Sequence, residues 1–174
     1  MTESDPGAVT EVLPGGRVGL RFGRGFAWGC GLSAHQFEGN NTASDWWRFE
    51  QAGGIARGEV SGRATDHYHR FAEDFSLART LNVCALKLSV EWARIEPEPG
   101  RFDEAALRHY EEVVETLTSI GIEPYLVLHH FTSPQWLEAY QWWEGKDTAK
   151  RFAEYAGIVA ERLGRWVRWW MTIN

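Results

Sequence analysis

One pattern recurs three times along this chain: a short, strongly apolar segment is followed by a longer segment whose apolar residues have helical spacing. The apolar segments read FAWGCGL, ALKLSV, PYLVLHH and RWWMTIN, and they begin at residues 26, 85, 124 and 168. Short apolar segments rich in β-branched and aromatic residues are typical of buried strands. The sequence therefore predicts strands and helices in the order β-α-β-α-β-α-β.

The segments between these strands carry the signals of amphipathic helices. The first helix is predicted after Asp66 and the second after Asp103, because an aspartate in this position can cap a helix N-terminus. The second helix is closed by Gly121, and the third has one apolar face from Phe152 to Trp166. Short connections of this kind favour right-handed crossovers, which place parallel strands in one sheet covered by helices.

Two architectures contain such a sheet, the doubly wound open sheet and the (β/α)₈ barrel. A doubly wound nucleotide-binding domain has a Gly-rich phosphate turn after its first strand. Here that turn reads GLSAHQFEGNN, which lacks the GxGxxG spacing. The barrel is therefore favoured, and since a complete barrel takes about 250 residues, we predict an α/β fold that is the first half of a (β/α)₈ TIM barrel.

The repeating pattern does not include the start of the chain. Residues 1–24 contain Gly, Pro and acidic residues without any period, and we predict that they form a disordered leader. Residues 25–174 contain all four predicted strands. They are therefore predicted to be the N-terminal half of the barrel.

Composition and charge exclude several classes of partner. The net charge of −6 and the pI near 5.5 weigh against binding to nucleic acid or to an anionic membrane surface. No apolar run approaches the roughly 18 residues of a membrane span, and no signal peptide is visible. Cys30 and Cys84 lie in apolar segments and are predicted to be free core thiols. We therefore expect a cytoplasmic protein.

In α/β barrels the chemistry lies at the carboxyl ends of the strands and in the loops that follow them. The residues at these positions are His35, Gln36, Glu38, Ser89, Glu91, Trp92, Arg94, His129, His130, Phe131, Thr172 and Asn174. Most carry amide, imidazole or indole groups rather than carboxylates. Neutral donors and acceptors beside apolar rings suit a neutral polyol such as a hexose.

The histidines do not form a metal-binding motif. His67 and His69 are two residues apart at a helix start, and this spacing does not place two ligands on one face. His129 and His130 alternate faces on a strand, so only one of them can point into the barrel mouth. A metal site is therefore disfavoured.

Five blocks of the sequence carry recognisable motifs: FAWGCGLSAHQFEG, DHYHRFAEDFSLARTLNV, LKLSVEWARIEPEPGRFDEAALRHY, IEPYLVLHHFTSPQWL and WMTIN. They resemble blocks of the family 1 glycoside hydrolases, the β-glucosidases and their relatives. They occur in the family's order and spacing and cover nearly all of the chain after the predicted leader. The resemblance implies retaining hydrolysis of a β-glucoside or related sugar, without a metal or an organic cofactor.

The resemblance also implies roles for three residues. Gln36 and His130 match the glutamine and histidine that hold the sugar of the cleaved glycoside, and Asn174 matches the asparagine that binds its 2-hydroxyl. In the family the acid/base glutamate follows this asparagine directly, and the nucleophile lies in a late E-N-G motif. Neither is present in these 174 residues. Since retaining glycosidases need both carboxyls, we expect no catalytic residue and no activity in this chain alone.

Glu38 and Glu91 are carboxylates near strand ends that could in principle replace the missing pair, but other roles are expected for both. Glu38 is expected to have a structural or hydrogen-bonding role, and Glu91 is expected to pair with a neighbouring arginine. Lys87 stands where the family has an arginine beside the nucleophile. A lysine cannot reproduce the bidentate contact of a guanidinium group, so the electrostatics of the site are expected to differ.

The expected assembly follows from the incomplete barrel. A half-barrel has unpaired strand edges and an open apolar interior, which favour association with other chains. We therefore expect self-association or pairing with a complementary half. The leading interpretation is a glycosidase fragment that ends just before the acid/base glutamate. The alternative is a non-catalytic half-barrel that serves as a sugar-binding or assembly subunit; a nucleotide-binding domain is disfavoured by the missing phosphate turn.

Overall fold

A two-stranded antiparallel hairpin opens the computed structural model, which describes residues 8–174. Strand β1 (Val9–Val12) pairs with β2 (Val18–Arg21) around a turn in which Gly15 and Gly16 have φ angles of 86° and 77°. Glycine adopts this left-handed conformation without the penalty that a side chain imposes. Residues 9–21 thus differ from the predicted disordered leader. Residues 1–7 lie outside the described residues, and the division of the chain at residue 25 stays a prediction.

The main sheet has four parallel strands in the order β3-β4-β5-β6. These strands are β3 (Gly29–Gly31), β4 (Ala85–Ser89), β5 (Glu123–His129) and β6 (Trp169–Ile173). Within this sheet β4, β5 and β6 each pair with the strand before them in the chain, as in the wall of a (β/α)₈ barrel. The predicted first half of a TIM barrel is therefore confirmed.

Three long helices connect these strands and cover one face of the sheet. The long helices are α3 (His67–Thr80), α5 (Glu104–Ser119) and α6 (Thr148–Leu163). The short ones are α1 (Ala34–Phe37), α2 (Asp45–Gln51) and α4 (Trp92–Ile95), with 3₁₀ helices at Gln135–Tyr140 and Trp142–Glu144. Helices α3, α5 and α6 are the predicted crossovers. The short helices lie in the loops that follow the strands.

The two predicted helix caps have different outcomes. The Asp103 carboxylate accepts hydrogen bonds from the backbone N–H groups of Ala105 at 2.7 Å and Ala106 at 3.0 Å, so this cap is confirmed. Asp66 precedes α3 but has a left-handed backbone with φ 59°, and its side chain makes no cap bond. A side-chain cap requires extended backbone at this residue. The Asp66 carboxylate instead accepts from His69 Nδ1 at 2.8 Å.

The hydrophobic core lies between the helices and the outward face of the sheet. Its fully buried members include Phe75, Leu86, Leu117, Leu126, Tyr155, Val159 and Leu163. On the opposite face Tyr125 stacks on Trp169 with ring centroids 5.6 Å apart, and Trp169 is 44% exposed. One face of the sheet is therefore covered and the other is open.

The predicted burial of the two cysteines is wrong, because Cys30 and Cys84 are both exposed free thiols. Strand β3 is only three residues long and forms the edge of the sheet, so its residues lack a strand on one side. Cys84 precedes β4, and its Sγ donates to the backbone carbonyl of Trp28 at 3.4 Å.

None of the helices within residues 8–174 is long and apolar enough to cross a membrane.

Candidate functional site

A contact between two polar side chains connects the middle of β4 with the carboxyl end of β6. Leu86 and Leu88 point into the core, so Lys87 between them points to the open face of the sheet. Its Nζ donates a hydrogen bond to Oδ1 of Asn174. The backbone N–H of Asn174 also donates to the carbonyl of His129 at 3.0 Å. Asn174 is therefore held by both neighbouring strands.

His130 faces the same open side, immediately after β5. Burial lowers its pKa, and the positive charge of Lys87 lowers it further. The imidazole is therefore neutral at pH 7 and offers one donor and one acceptor. Its buried Nδ1 has no hydrogen-bond partner among residues 8–174.

Gln36 lies on α1, in the loop that follows β3, and is exposed. Its side chain has no hydrogen bond to His130 or Asn174. The two loops nevertheless touch, because the ring of His35 lies 5.7 Å from the ring of Phe131, which follows His130. All three predicted sugar-binding residues thus follow strands of one parallel sheet at its carboxyl edge, and the structure brings His130 and Asn174 together through Lys87. Their contact with a sugar stays a prediction.

His129 is the packing residue of the histidine pair, which agrees with strand alternation and with the match of His130 to the family's histidine. It is 8% exposed, its Nε2 lies 3.1 Å from Oγ of Ser133, and its ring meets the ring of Trp143 edge-on at 4.7 Å. Burial, followed by the neighbouring His130, lowers the pKa of His129 to about 4. This imidazole therefore stays neutral and structural.

Glu38 has the hydrogen-bonding role that was predicted for it. Its Oε2 accepts from Nε of Arg94 at 2.8 Å, and its Oε1 accepts from the hydroxyl of Tyr110 at 3.0 Å. Burial raises the pKa of Glu38, while Arg94 opposes this rise. These contacts tie the loop after β3 to α4 and α5 beneath the site.

The predicted pairing of Glu91 with an arginine is wrong. Its carboxylate accepts from Nδ2 of Asn41 at 2.7 Å and from Oγ1 of Thr132 at 2.8 Å, whereas Arg94 is bound to Glu38. Without an ion partner, burial and then the nearby charge of Glu38 raise the pKa of Glu91 to about 8. The sequence contains no signal for this network, because Asn41 and Thr132 lie 50 and 41 residues from Glu91.

An aromatic surface borders His130. Phe131 has a left-handed backbone with φ 58° and is 39% exposed. Its ring lies 5.6 Å from that of His130 and 5.4 Å from that of Trp46 on α2. Apolar rings beside neutral polar groups suit the mixed surface of a sugar. Trp46 was not among the predicted site residues, and only the folded position of α2 shows its place.

The described part of the chain, residues 8–174, contains no cluster of three or more His, Cys, Asp or Glu side chains that could hold a metal ion. The polar side chains at or beside the carboxyl edge are those of Gln36, His130 and Asn174 and the ammonium group of Lys87, next to an aromatic surface. The sequence model described as "Glycosyl hydrolase family 1" matches residues 19–174. The chain belongs to glycosyl hydrolase family 1.

Two curated relatives in this family illustrate the similarity. Thermostable β-glucosidase B of Thermobispora bispora is 41% identical over 160 residues, which cover 89% of this chain and 34% of the relative. β-Glucosidase A of Thermotoga maritima is 34% identical over 161 residues, which cover 88% of this chain and 36% of the relative. The chain therefore spans about a third of the length of the curated relatives it matches.

Solved structures in the family share the fold over the same region. The β-glycosidase BGL167 superimposes with a TM-score of 0.85 at 45% identity, covering 88% of this chain and 37% of that protein. The β-glucosidase of Thermotoga maritima in complex with castanospermine superimposes with a TM-score of 0.84 at 34% identity, covering 88% of this chain and 36% of that protein. The four-stranded sheet thus corresponds to part of a family 1 barrel.

Proposed function

We propose that this chain forms the N-terminal part of a β-glucosidase-type enzyme that hydrolyses O-glycosyl bonds with retention of configuration. The observation that carries the proposal is the meeting of His130 and Asn174 around Lys87 at the carboxyl edge of the sheet. Relatives named as β-glucosidases support it. In this proposal Gln36, His130 and Asn174 bind the sugar of the cleaved glycoside.

The chemistry of these groups fits a neutral sugar. Lys87 donates to Oδ1 of Asn174, which fixes the orientation of the amide and leaves Nδ2 as a donor for a sugar hydroxyl. The neutral His130 can donate to one hydroxyl or accept from another, and Phe131 offers an apolar face. Addition of methyl β-glucoside at millimolar concentration should shift the NMR signals of the Asn174 side-chain amide and of the His130 imidazole. Asn174→Ala should remove the shift at His130.

We further propose that a polypeptide of these 174 residues does not hydrolyse glycosides. A retaining mechanism needs two accessible carboxyls about 5–5.5 Å apart. Glu38 and Glu91 are 4% and 2% exposed, and both are engaged by buried donors. Measurable turnover of an aryl β-glucoside by a pure, mass-verified sample of the 174 residues would contradict this proposal.

A second candidate function is favoured by the open face of the sheet. Trp28, Trp169 and Ile173 are 54%, 44% and 59% exposed on or beside the two edge strands. Exposed apolar groups at strand edges pair with other chains. In this alternative the chain is a non-catalytic sugar-binding or assembly subunit that self-associates or pairs with a complementary half. Light scattering after size exclusion tests the association, and a stable monomer would contradict it.

For the location of the protein we propose the cytoplasm. Cys30 and Cys84 are exposed free thiols, and unpaired exposed thiols suit a reducing compartment. Fractionation of the source cells, followed by immunoblotting of each fraction, tests this proposal.

A further inference from the structure

We propose that the buried carboxyl of Glu91 is a positioning group that holds the Gln36 loop and the His130 loop in a fixed relation to each other. Glu91 does not face the candidate sugar site, and no role there follows from the family resemblance. The inference rests on the proposed function only for what the two loops bind. The connection between the loops is a property of this chain and can be tested without any sugar.

One arm of the connection reaches His130. Oγ1 of Thr132 lies 2.8 Å from Oε1 and 3.0 Å from Oε2 of Glu91. The backbone N–H of Thr132 donates to the carbonyl of His130 at 2.9 Å, and Oγ1 of Thr132 lies 3.5 Å from the same carbonyl. Thr132 is 3% exposed. Any displacement of Glu91 is therefore transmitted to the main chain of His130 through one intermediate residue.

The other arm reaches the residue beside Gln36. Nδ2 of Asn41 donates to Oε2 of Glu91 at 2.7 Å and lies 3.2 Å from Nδ1 of His35. Nε2 of His35 lies 3.2 Å from Oε1 of Glu50 on α2. His35 and Asn41 are each 2% exposed. The loop that carries Gln36 is thus anchored to Glu91 by a buried chain of polar contacts.

The base of the connection is fixed to the core. The backbone N–H of Glu91 donates to the hydroxyl of Tyr110 at 3.1 Å, and that hydroxyl donates to Glu38 at 3.0 Å. Tyr110 lies on α5 and is 1% exposed. Because α5 packs in the hydrophobic core, Glu91 is a rigid point from which both loops are held.

The protonation state of Glu91 decides how the two arms are bonded. The titratable groups that act on it are Glu38, Arg94, Tyr110 and Tyr155. None of these side chains hydrogen-bonds its carboxyl, and its pKa of about 8 leaves it mainly neutral at pH 7. A neutral carboxyl can donate its O–H to Thr132 Oγ1, which then donates to the carbonyl of His130, while the other oxygen accepts from Asn41. On ionisation the hydroxyl of Thr132 turns to donate to Glu91 and gives up its bond to the carbonyl of His130.

The experiment is hydrogen exchange of the backbone amides, followed by mass spectrometry, in the 174-residue chain at pH 6.5. Glu91→Ala should raise the exchange rates of residues 36–42 and 130–133 by about tenfold, because each loop loses its buried partner. Glu91→Gln should keep them within about twofold of the original, because an amide can donate to Thr132 and accept from Asn41. Glu98→Ala is the matched control, since Glu98 is an exposed glutamate whose carboxylate pairs with the exposed Arg101.

A pH series separates this positioning role from simple packing. After correction for the intrinsic rate, the protection of residues 130–133 should fall between pH 7 and pH 9 in the original chain, because Thr132 then donates to Glu91 instead of to the carbonyl of His130. It should stay constant in Glu91→Gln, whose amide does not titrate. Equal loosening of the loops in the Gln and Ala variants, or unchanged loops in the Ala variant, would overturn the proposal.

If Glu91→Ala does not fold, a second pair of variants at Thr132 decides the matter. Thr132→Ser keeps the hydroxyl and should retain the protection of residues 130–133. Thr132→Val has the same size but no hydroxyl, and it should lose that protection. Identical exchange in the two variants would overturn the proposal. Because none of these measurements involves a sugar, they can fail while the proposed glycosidase function stands, and the reverse also holds.

Discussion

Nζ of Lys87 donates a hydrogen bond to Oδ1 of Asn174 and so connects β4 with β6 across the intervening strand β5. In the family that the sequence resembles, an arginine stands at the position that Lys87 occupies here. A lysine has a single ammonium group in place of a planar fork, and here that group is directed at the amide of Asn174. The contact therefore orients one predicted sugar-binding residue and places a positive charge beside another, His130.

Removal of the charge at residue 87 should raise the pKa of His130. Lys87 lowers this pKa in addition to burial, so Lys87→Met should shift the NMR titration of the His130 imidazole to higher pH. Lys87→Arg keeps the charge and should leave the titration close to its original position. Lys146→Met removes an exposed lysine elsewhere and serves as the control. An unchanged His130 titration in Lys87→Met would show that the two groups do not share one environment.

The two helix caps should differ in their contribution to stability. Asp103→Ala removes two hydrogen bonds to backbone N–H groups at the start of α5 and should lower the free energy of unfolding by about 1 kcal/mol. Asp66→Ala removes exposed side-chain contacts with His69 and Arg63 and no cap bond, so its effect should be smaller. Urea denaturation of both variants tests this order, which equal losses would contradict.

The stability of the chain should fall with rising pH because of Glu91. Its pKa in the folded chain is about 8, above the ordinary value of 4.5, so the folded state binds this proton more tightly than the unfolded state. The stabilisation is complete below pH 4.5 and is lost as the pH rises to about 8. As the pH rises across this range, the unfolding free energy of Glu91→Gln should therefore increase relative to that of the original chain. A difference that does not change with pH would show that Glu91 is already ionised.

Association of the chain should depend on the open face of the sheet. Trp169→Lys places a charge at an exposed position of the edge strand β6, and edge charges oppose strand pairing. The variant should shift the mass from light scattering towards the monomer. Val60→Lys alters an exposed loop residue away from the sheet and should leave the mass unchanged. Equal masses for the original chain and both variants would place the contact elsewhere.

The elements of the barrel could be predicted because each carries a local signal. Strands β4 to β6 are continuous apolar segments, and α5 has both a capping aspartate and a closing glycine. Side-chain direction was also predictable on a strand, since alternation and the family motif together separated His130 from His129. These features depend on residues within one element, so no tertiary information was needed.

The remaining features depend on contacts between distant loops or on backbone angles without a clear sequence signal. Asp66 has the residue type of a cap, but its left-handed backbone prevents the bond. Arg94 lies three residues after Glu91, yet it pairs with Glu38, 56 residues away. The partners of Glu91 come from two other loops in the same way. Such pairings follow from how the loops meet above the sheet, which composition and periodicity do not contain.

The most direct measurement of the proposed function is the activity of a chimera. Residues 8–174 would replace the matching part of β-glucosidase B from Thermobispora bispora, so that the relative supplies everything after the position of Asn174. We predict hydrolysis of an aryl β-glucoside with retained configuration, a loss of about a hundredfold or more in kcat/KM on Asn174→Ala, and no such loss in a control variant, Lys146→Met. A folded chimera without turnover, or one indifferent to Asn174→Ala, would contradict the assignment of this chain as the sugar-binding part of a β-glycosidase.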